Sequence, residues 1–166
     1  MKKFLLLVLA LGVTQLGSAN KQKKADAETD KFRYDIEYAR PSGDGVCQVK
    51  VWSYSKKSRI AAEQCRKNAV HGIIFKSYST GDGTTASQRP LVKDPSVQRD
   101  KAEFFEDFFS DGGPYRQFVS AVTDGSQEVV KVGKQYKVGV VVTVSKDQLR
   151  KYLESEGIIR SLASGF

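Results

Sequence analysis

The sequence predicts an α+β domain of mixed α/β character, folded in two layers, behind a signal peptide. Three observations predict it. Residues 32–40 and 46–54 alternate apolar and polar side chains, the period of half-buried strands. A helix of small apolar residues follows the second of them. A valine-rich strand over 136–144 then runs into a helix that starts with a polar capping residue. Strands gathered around helices in this way put a sheet in one layer and the helices in the other.

The N-terminus has the layout of a secretory signal. Lys2 and Lys3 precede an apolar run at 4–13, and Gly17, Ser18 and Ala19 supply the small residues of a cleavage site after Ala19. A run of about ten apolar residues is half of the roughly 20 that a membrane-spanning helix needs, and no later stretch reaches that length. No lipoprotein-type cysteine follows the apolar run. Cleavage takes the formal charge from +8 to +6. Segment 20–31 is charged, carries lysines at 21, 23 and 24, and reads as a flexible leader before a domain at 32–166. The expected location is the periplasm or envelope, or outside the cell after secretion.

Taken in order, Phe32, Tyr34, Ile36 and Tyr38 alternate with polar residues and mark the first strand, which ends at the turn 41–45. In the second strand Cys47, Val49 and Val51 share one face, and Gln48, Lys50, Trp52 and Tyr54 the other. A helix capped by Ser55 or Ser58 runs to about Val70, with Ala61, Cys65 and Ala69 on one stripe that lets it approach a sheet closely. His71 and Gly72 end it, and Ile73, Ile74 and Phe75 read as a short buried strand. Residues 77–93 form a long loop. Asp94 and Pro95 start a helix that carries Phe104, Phe105, Phe108 and Phe109, and a short helical turn follows over 115–122. A hairpin pairs 128–132 with 136–144 through Gly133 and Lys134, and the latter strand, apolar on both faces, reads as central. Ser145 with Gln148 forms a capping box for a last helix. That helix ends at Gly157, with Ile158 folding back on it. The order is β-β-α-β-α-α-β-β-α, with no internal repeat.

Candidate chemistry is sparse. Cys47 and Cys65 face the same interior and admit two readings, a disulfide closing a loop of about 18 residues or two buried thiols packed as small hydrophobes. His71 is the only histidine. It lies six residues from Cys65, about 120° away around a helix, so the two do not share a face as a nucleophile and its base would; a capping or surface histidine is expected. One histidine and two cysteines make no zinc pattern, and the Asp-Gly pairs lack the rest of a calcium loop. Glu103, Glu106, Asp107 and Asp111 read as a solvated face opposite a phenylalanine core. Segment 80–84 has the glycines of a phosphate loop without its lysine. Basic and aromatic residues are not expected to interleave on one strand, so no nucleic-acid partner is expected. No metal or cofactor site and no catalytic residue is assigned.

Two stretches carry a resemblance. Val49, Lys50 and Val51 lead into the helix bearing Ala61, Ala62, Cys65 and Ala69, and then to Ile73, Ile74 and Phe75; the strand 136–144 leads into Leu149 and Leu153. This pattern resembles the small envelope domains of the flagellar accessory protein FlgT and of short bacterial lipoproteins, over most of 46–155. The chain departs from it by lacking the lipid-bearing cysteine and by carrying the 77–93 insert. The resemblance implies an exported, non-enzymatic domain that docks in an envelope assembly, and it transfers no functional residues. The expected function is thus binding of an envelope protein partner, with Trp52, Tyr54, Tyr78 and Arg89 as candidate contacts. The alternatives are a secreted hydrolase or transferase using Cys65 and His71 or the 103–111 carboxylates, and a basic binder of anionic polymer or lipid through the lysines at 21, 23 and 24.

Overall fold

The hairpin at the start of the domain is built from β1 (Tyr34–Arg40) and β2 (Cys47–Ser55), paired antiparallel from Tyr34 opposite Ser53 to Tyr38 opposite Val49. The structure, a computed structural model, describes residues 32–40, 45–80, 87–122 and 127–161; at 40, 59–63 and 120–122 the description stops at the backbone. The signal peptide, its cleavage after Ala19, the leader with its lysines, and the tip of the long loop at 81–86 lie outside the described residues.

Along β2, burial alternates as the sequence requires. Cys47, Val49, Val51 and Ser53 are buried, and Gln48, Lys50, Trp52 and Tyr54 are half-buried on the other side. Strand β5 (Gln135–Val144) pairs antiparallel with the whole of β2, from Cys47 opposite Val144 to Ser55 opposite Tyr136. Its other edge is shared by two short strands, β3 (Val119–Val122) against 142–144 and β4 (Glu128–Val132) against 135–139. All pairings are antiparallel, and β5 is central as predicted. Gly133 and Lys134 make the bend between β4 and β5.

Helix α1 (Ser58–Phe75) crosses the inner face of β2 and β5. Cys65 sits close enough for its Sγ to lie 3.5 Å from the carbonyls of both Val51 and Val138. The small-residue stripe thus does what its spacing implies at Cys65 and Ala69, both fully buried. Residues 73–75 correct the sequence reading: they are the last turn of α1, not a strand. Every residue from Lys67 to Ile74 is buried. A helix covered on its sheet side and on its back loses its 3.6-residue pattern, and three apolar residues in a row then mimic a buried strand. The helix end is closed by the far arm of the loop. Leu91 and Val92, both buried, donate their amides to the carbonyls of Ile73 (3.1 Å) and Ile74 (2.9 Å), which lack partners within the helix.

Two shorter elements also differ from expectation. The predicted helix after Pro95 is two helices, α2 (Ser96–Asp100) and α3 (Ala102–Phe108), with Lys101 outside helical geometry between them. The predicted turn at 115–122 is a 3₁₀ turn (Pro114–Phe118) that passes directly into β3. The last helix, α4 (Lys146–Ser155), begins after Ser145, but the serine side chain makes no capping hydrogen bond. The Asp147 amide instead donates to the Gly45 carbonyl at 3.0 Å, tying the helix to the first hairpin. Its other end is as predicted. Gly157 adopts φ 65°, where a side chain would be strained, and Ile158 folds back with its amide on the Leu153 carbonyl.

The second layer is held by aromatic rings. Phe104, Phe105, Phe108 and Phe109 of the α3 region pack with Phe75, Tyr115, Phe118 and Tyr152 at centroid distances of 4.9–6.3 Å. Phe108 and Phe109 are 1% exposed and Phe105 is buried, so these three are core, as their sequence setting indicates, and Phe104 is half-buried at the margin. Replacing Phe108 with alanine should cost about 3–5 kcal/mol of unfolding free energy, read from urea denaturation; a cost below about 1 kcal/mol would show that the cluster is not load-sharing with α1.

Candidate functional site

Four places gather side chains capable of chemistry or recognition. The thiols come first. Cys65 lies beside Ser53, with Sγ–Oγ 3.2 Å, and Asn68 Nδ2 donates to the same Ser53 oxygen at 2.8 Å. Cys47 is at the other end of β2, with Sγ 3.4 Å from the Tyr78 hydroxyl. Both cysteines are free. The disulfide reading is therefore corrected: the faces were right, but α1 meets β2 at Ser53, six residues and about 20 Å along the strand from Cys47. Burial pushes both thiols above their ordinary pKa, which leaves neither a thiolate.

His71 is the second place, and it is neither a cap nor a surface residue. It is 5% exposed in the interior of α1. Its Nδ1 lies 2.6 Å from the Tyr34 hydroxyl and its Nε2 3.1 Å from the Gln98 amide, and the rings of Phe75 and Phe109 stand at 4.9 and 5.5 Å. Lys76 covers the Tyr34 ring at 3.7 Å and donates to the Tyr34 carbonyl. Burial first, and the Lys76 charge second, hold His71 down to about pKa 3. It is a neutral polar link between β1, α1 and α2, and it does not meet Cys65. Nor do the carboxylates converge: Glu103, Glu106 and Asp107 are exposed on α3, while Asp111 pairs with the buried Lys67 at 2.6 Å.

The third place is the side of the sheet away from α1. Trp52 lies across β5 on Gly139, where an added Cβ would come within 2.6 Å of the indole. Lys50 and Lys137 stand 4.5 and 4.9 Å from the Trp52 ring, and Lys137 is 5.5 Å from that of Tyr54. Each lysine is matched by a carboxylate, Lys50 by Glu128 at 2.6 Å and Lys137 by Asp35 at 3.4 Å. The Tyr54 hydroxyl also donates to Asp35, at 3.1 Å. On this face β2 itself carries one lysine, Lys50, beside Trp52 and Tyr54, and the second, Lys137, comes from β5. The matching carboxylates leave this face without the excess positive charge that phosphate backbones require. Of the other predicted contacts, Arg89 is exposed, whereas Tyr78 is 2% exposed and bridges to Gln88 from within the core.

The fourth place escaped the sequence reading. All five residues of β4 are exposed, and Val129, Val130 and Val132 are each about half exposed, at 49, 50 and 50%. These are the large hydrophobic side chains that the described residues leave in solvent. The signal was present in the sequence as valines at consecutive positions 129 and 130, which no single buried face can take. No helix among the described residues is long and apolar enough to cross a membrane, and no group of three or more His, Cys, Asp or Glu among them could hold a metal.

No protein-family model, curated protein or solved structure matches this chain.

Two outcomes follow for the buried groups. Unfolding the unreduced protein in denaturant with iodoacetamide should alkylate both cysteines; a species two hydrogens lighter and resistant to alkylation would contradict the separation described above. For His71, the folded pKa lies below the unfolded value of 6.5, so the stability it confers is full above pH 6.5 and is lost as pH falls toward 3. Between pH 6.5 and 4.5 the loss should be roughly 2–3 kcal/mol. The variant His71→Gln, neutral throughout, should show a much flatter profile over that window by urea denaturation; an unchanged slope would assign the acid sensitivity elsewhere.

Proposed function

We propose that this chain is an exported, non-enzymatic module, periplasmic or envelope-associated, that binds a protein partner in an envelope assembly. The N-terminal charge, apolar run and small residues support export. The observation that carries the binding reading is β4, an edge strand with half-exposed valines at three of its five positions. Edge strands of this kind invite pairing with another chain, and natural proteins blunt them unless a partner covers them. The buried thiols and the low-pKa histidine point away from the hydrolase alternative, because neither Cys65 nor His71 is poised to take or give a proton near neutral pH.

The test is a cross-linking pull-down of the tagged protein from its native envelope, read by mass spectrometry, beside a double variant with Val130→Lys and Val132→Lys. Both positions are half exposed, so folding should change by no more than about 0.5 kcal/mol per site. Wild type should return a small set of stoichiometric envelope proteins and a mature N-terminus at Asn20, and the double variant should lose the partners. Wild type recovered alone, or with its first residues uncleaved in the cytoplasm, would overturn the reading.

A further inference from the structure

We infer that the free edge of β4 takes up one extended strand of a partner protein, apolar on both faces and bearing a carboxylate opposite Lys131. The inference rests on the partner-binding reading above and names the chemistry of the partner. Only one neighbour of β4 is present in the sheet, β5, so the opposite row of backbone groups is unpaired among the described residues.

The positions of the valines select the form of the partner. Val129 stands opposite Val138, which is fully buried on the helix side, whereas Val130 stands opposite Lys137 on the bare side. Apolar surface is therefore offered on both sides of one strand. A helix laid on either face would cover only half of it. An added strand covers the edge and contributes side chains to both faces at once.

Charge selects its composition. Glu128 is engaged by Lys50 at 2.6 Å. Lys131 and, at the hairpin tip, Lys134 have no ion-pair partner among the described residues. The unmatched charge along the edge is positive, so a carboxylate belongs opposite Lys131.

A second copy of this chain does not meet that requirement. Two β4 strands pairing antiparallel about a two-fold axis normal to the sheet keep their faces. Glu128, opposite Gly139, is on the bare face, and Lys131, opposite Tyr136, is on the helix face. No such register brings the glutamate of one copy to the lysine of the other, and a lysine on an edge strand works against self-pairing.

The test uses the intact mature protein and three synthetic hexapeptides: Thr-Val-Glu-Val-Val-Thr, which has valines on both faces, the same peptide with lysine in place of glutamate, and the same peptide with proline at the fifth position, opposite Val129 when the glutamate is opposite Lys131. Amide hydrogen exchange reads residues 128–132. The acidic peptide should slow exchange there by about tenfold at saturation, the proline peptide should not, and the lysine peptide should bind about fivefold more weakly. Lys131→Glu should reverse the preference between the two charged peptides, a readout that a merely structural lysine would not move. Equal protection by both charged peptides, or none by the acidic one, would overturn the inference. So would protection that grows with protein concentration alone and accompanies a dimer in sedimentation, which would make the occupant a second copy. In each of these cases partner recovery in the pull-down would still stand, so the two readings fail separately.

Discussion

The contact on which the rest of the fold depends is that of α1 with β2 and β5. Cys65 is small enough for the helix to settle onto the strands, and its sulfur touches backbone carbonyls of both. Beside it, Asn68 and Ser53 form a fully buried polar pair at 2.8 Å. Such a pair is costly unless matched, so it holds the helix at one place along the strand. From that anchor the helix runs under the aromatic layer, where Ile73, Ile74 and His71 meet α2, α3 and the 91–92 segment.

One helical layer on one side of a sheet leaves the other side to solvent, and the chain deals with its two exposed regions differently. Over β1, β2 and β5 the bare face closes on itself. Trp52 lies on Gly139, two lysines flank the indole, and carboxylates from β1 and β4 match the lysines. At β4 there is no such closure. The valines are half exposed and Lys131 is unmatched among the described residues. The contrast leaves β4, rather than the aromatic face, as the exposed apolar region among the described residues.

Much of the fold was legible because its signals are local. The alternation in β2 and β5, the Gly133–Lys134 bend, and the Gly157–Ile158 ending each depend on residues within a few positions of one another. Elements whose identity depends on distant neighbours were misread. Ile73, Ile74 and Phe75 are helical because α1 is covered from behind by segments 18 to 30 residues downstream, Leu91 and Val92 on Ile73 and Ile74 and Phe105 on Phe75. Val119–Val122 is a strand because β5 offers it an edge beyond the reach of β4. The candidate contacts divided in the same way: Trp52 and Tyr54 were placed on the correct face, but the burial of Tyr78 follows from the packing of the loop against Cys47.

By itself, the sequence determined the mixed α/β class, the two faces of β2 and the central place of β5, since composition and a period of two residues are properties of the chain alone. The tertiary structure alone decided which pairs meet. Whether Cys47 reaches Cys65 depends on where a helix lands along a strand; whether His71 is charged depends on how many rings surround it; and whether three valines are buried or exposed depends on where the helical layer stops. Periodicity names the face of an element, but register and coverage come from distant segments, and so the unclaimed edge of β4 became visible only when the layers were assembled.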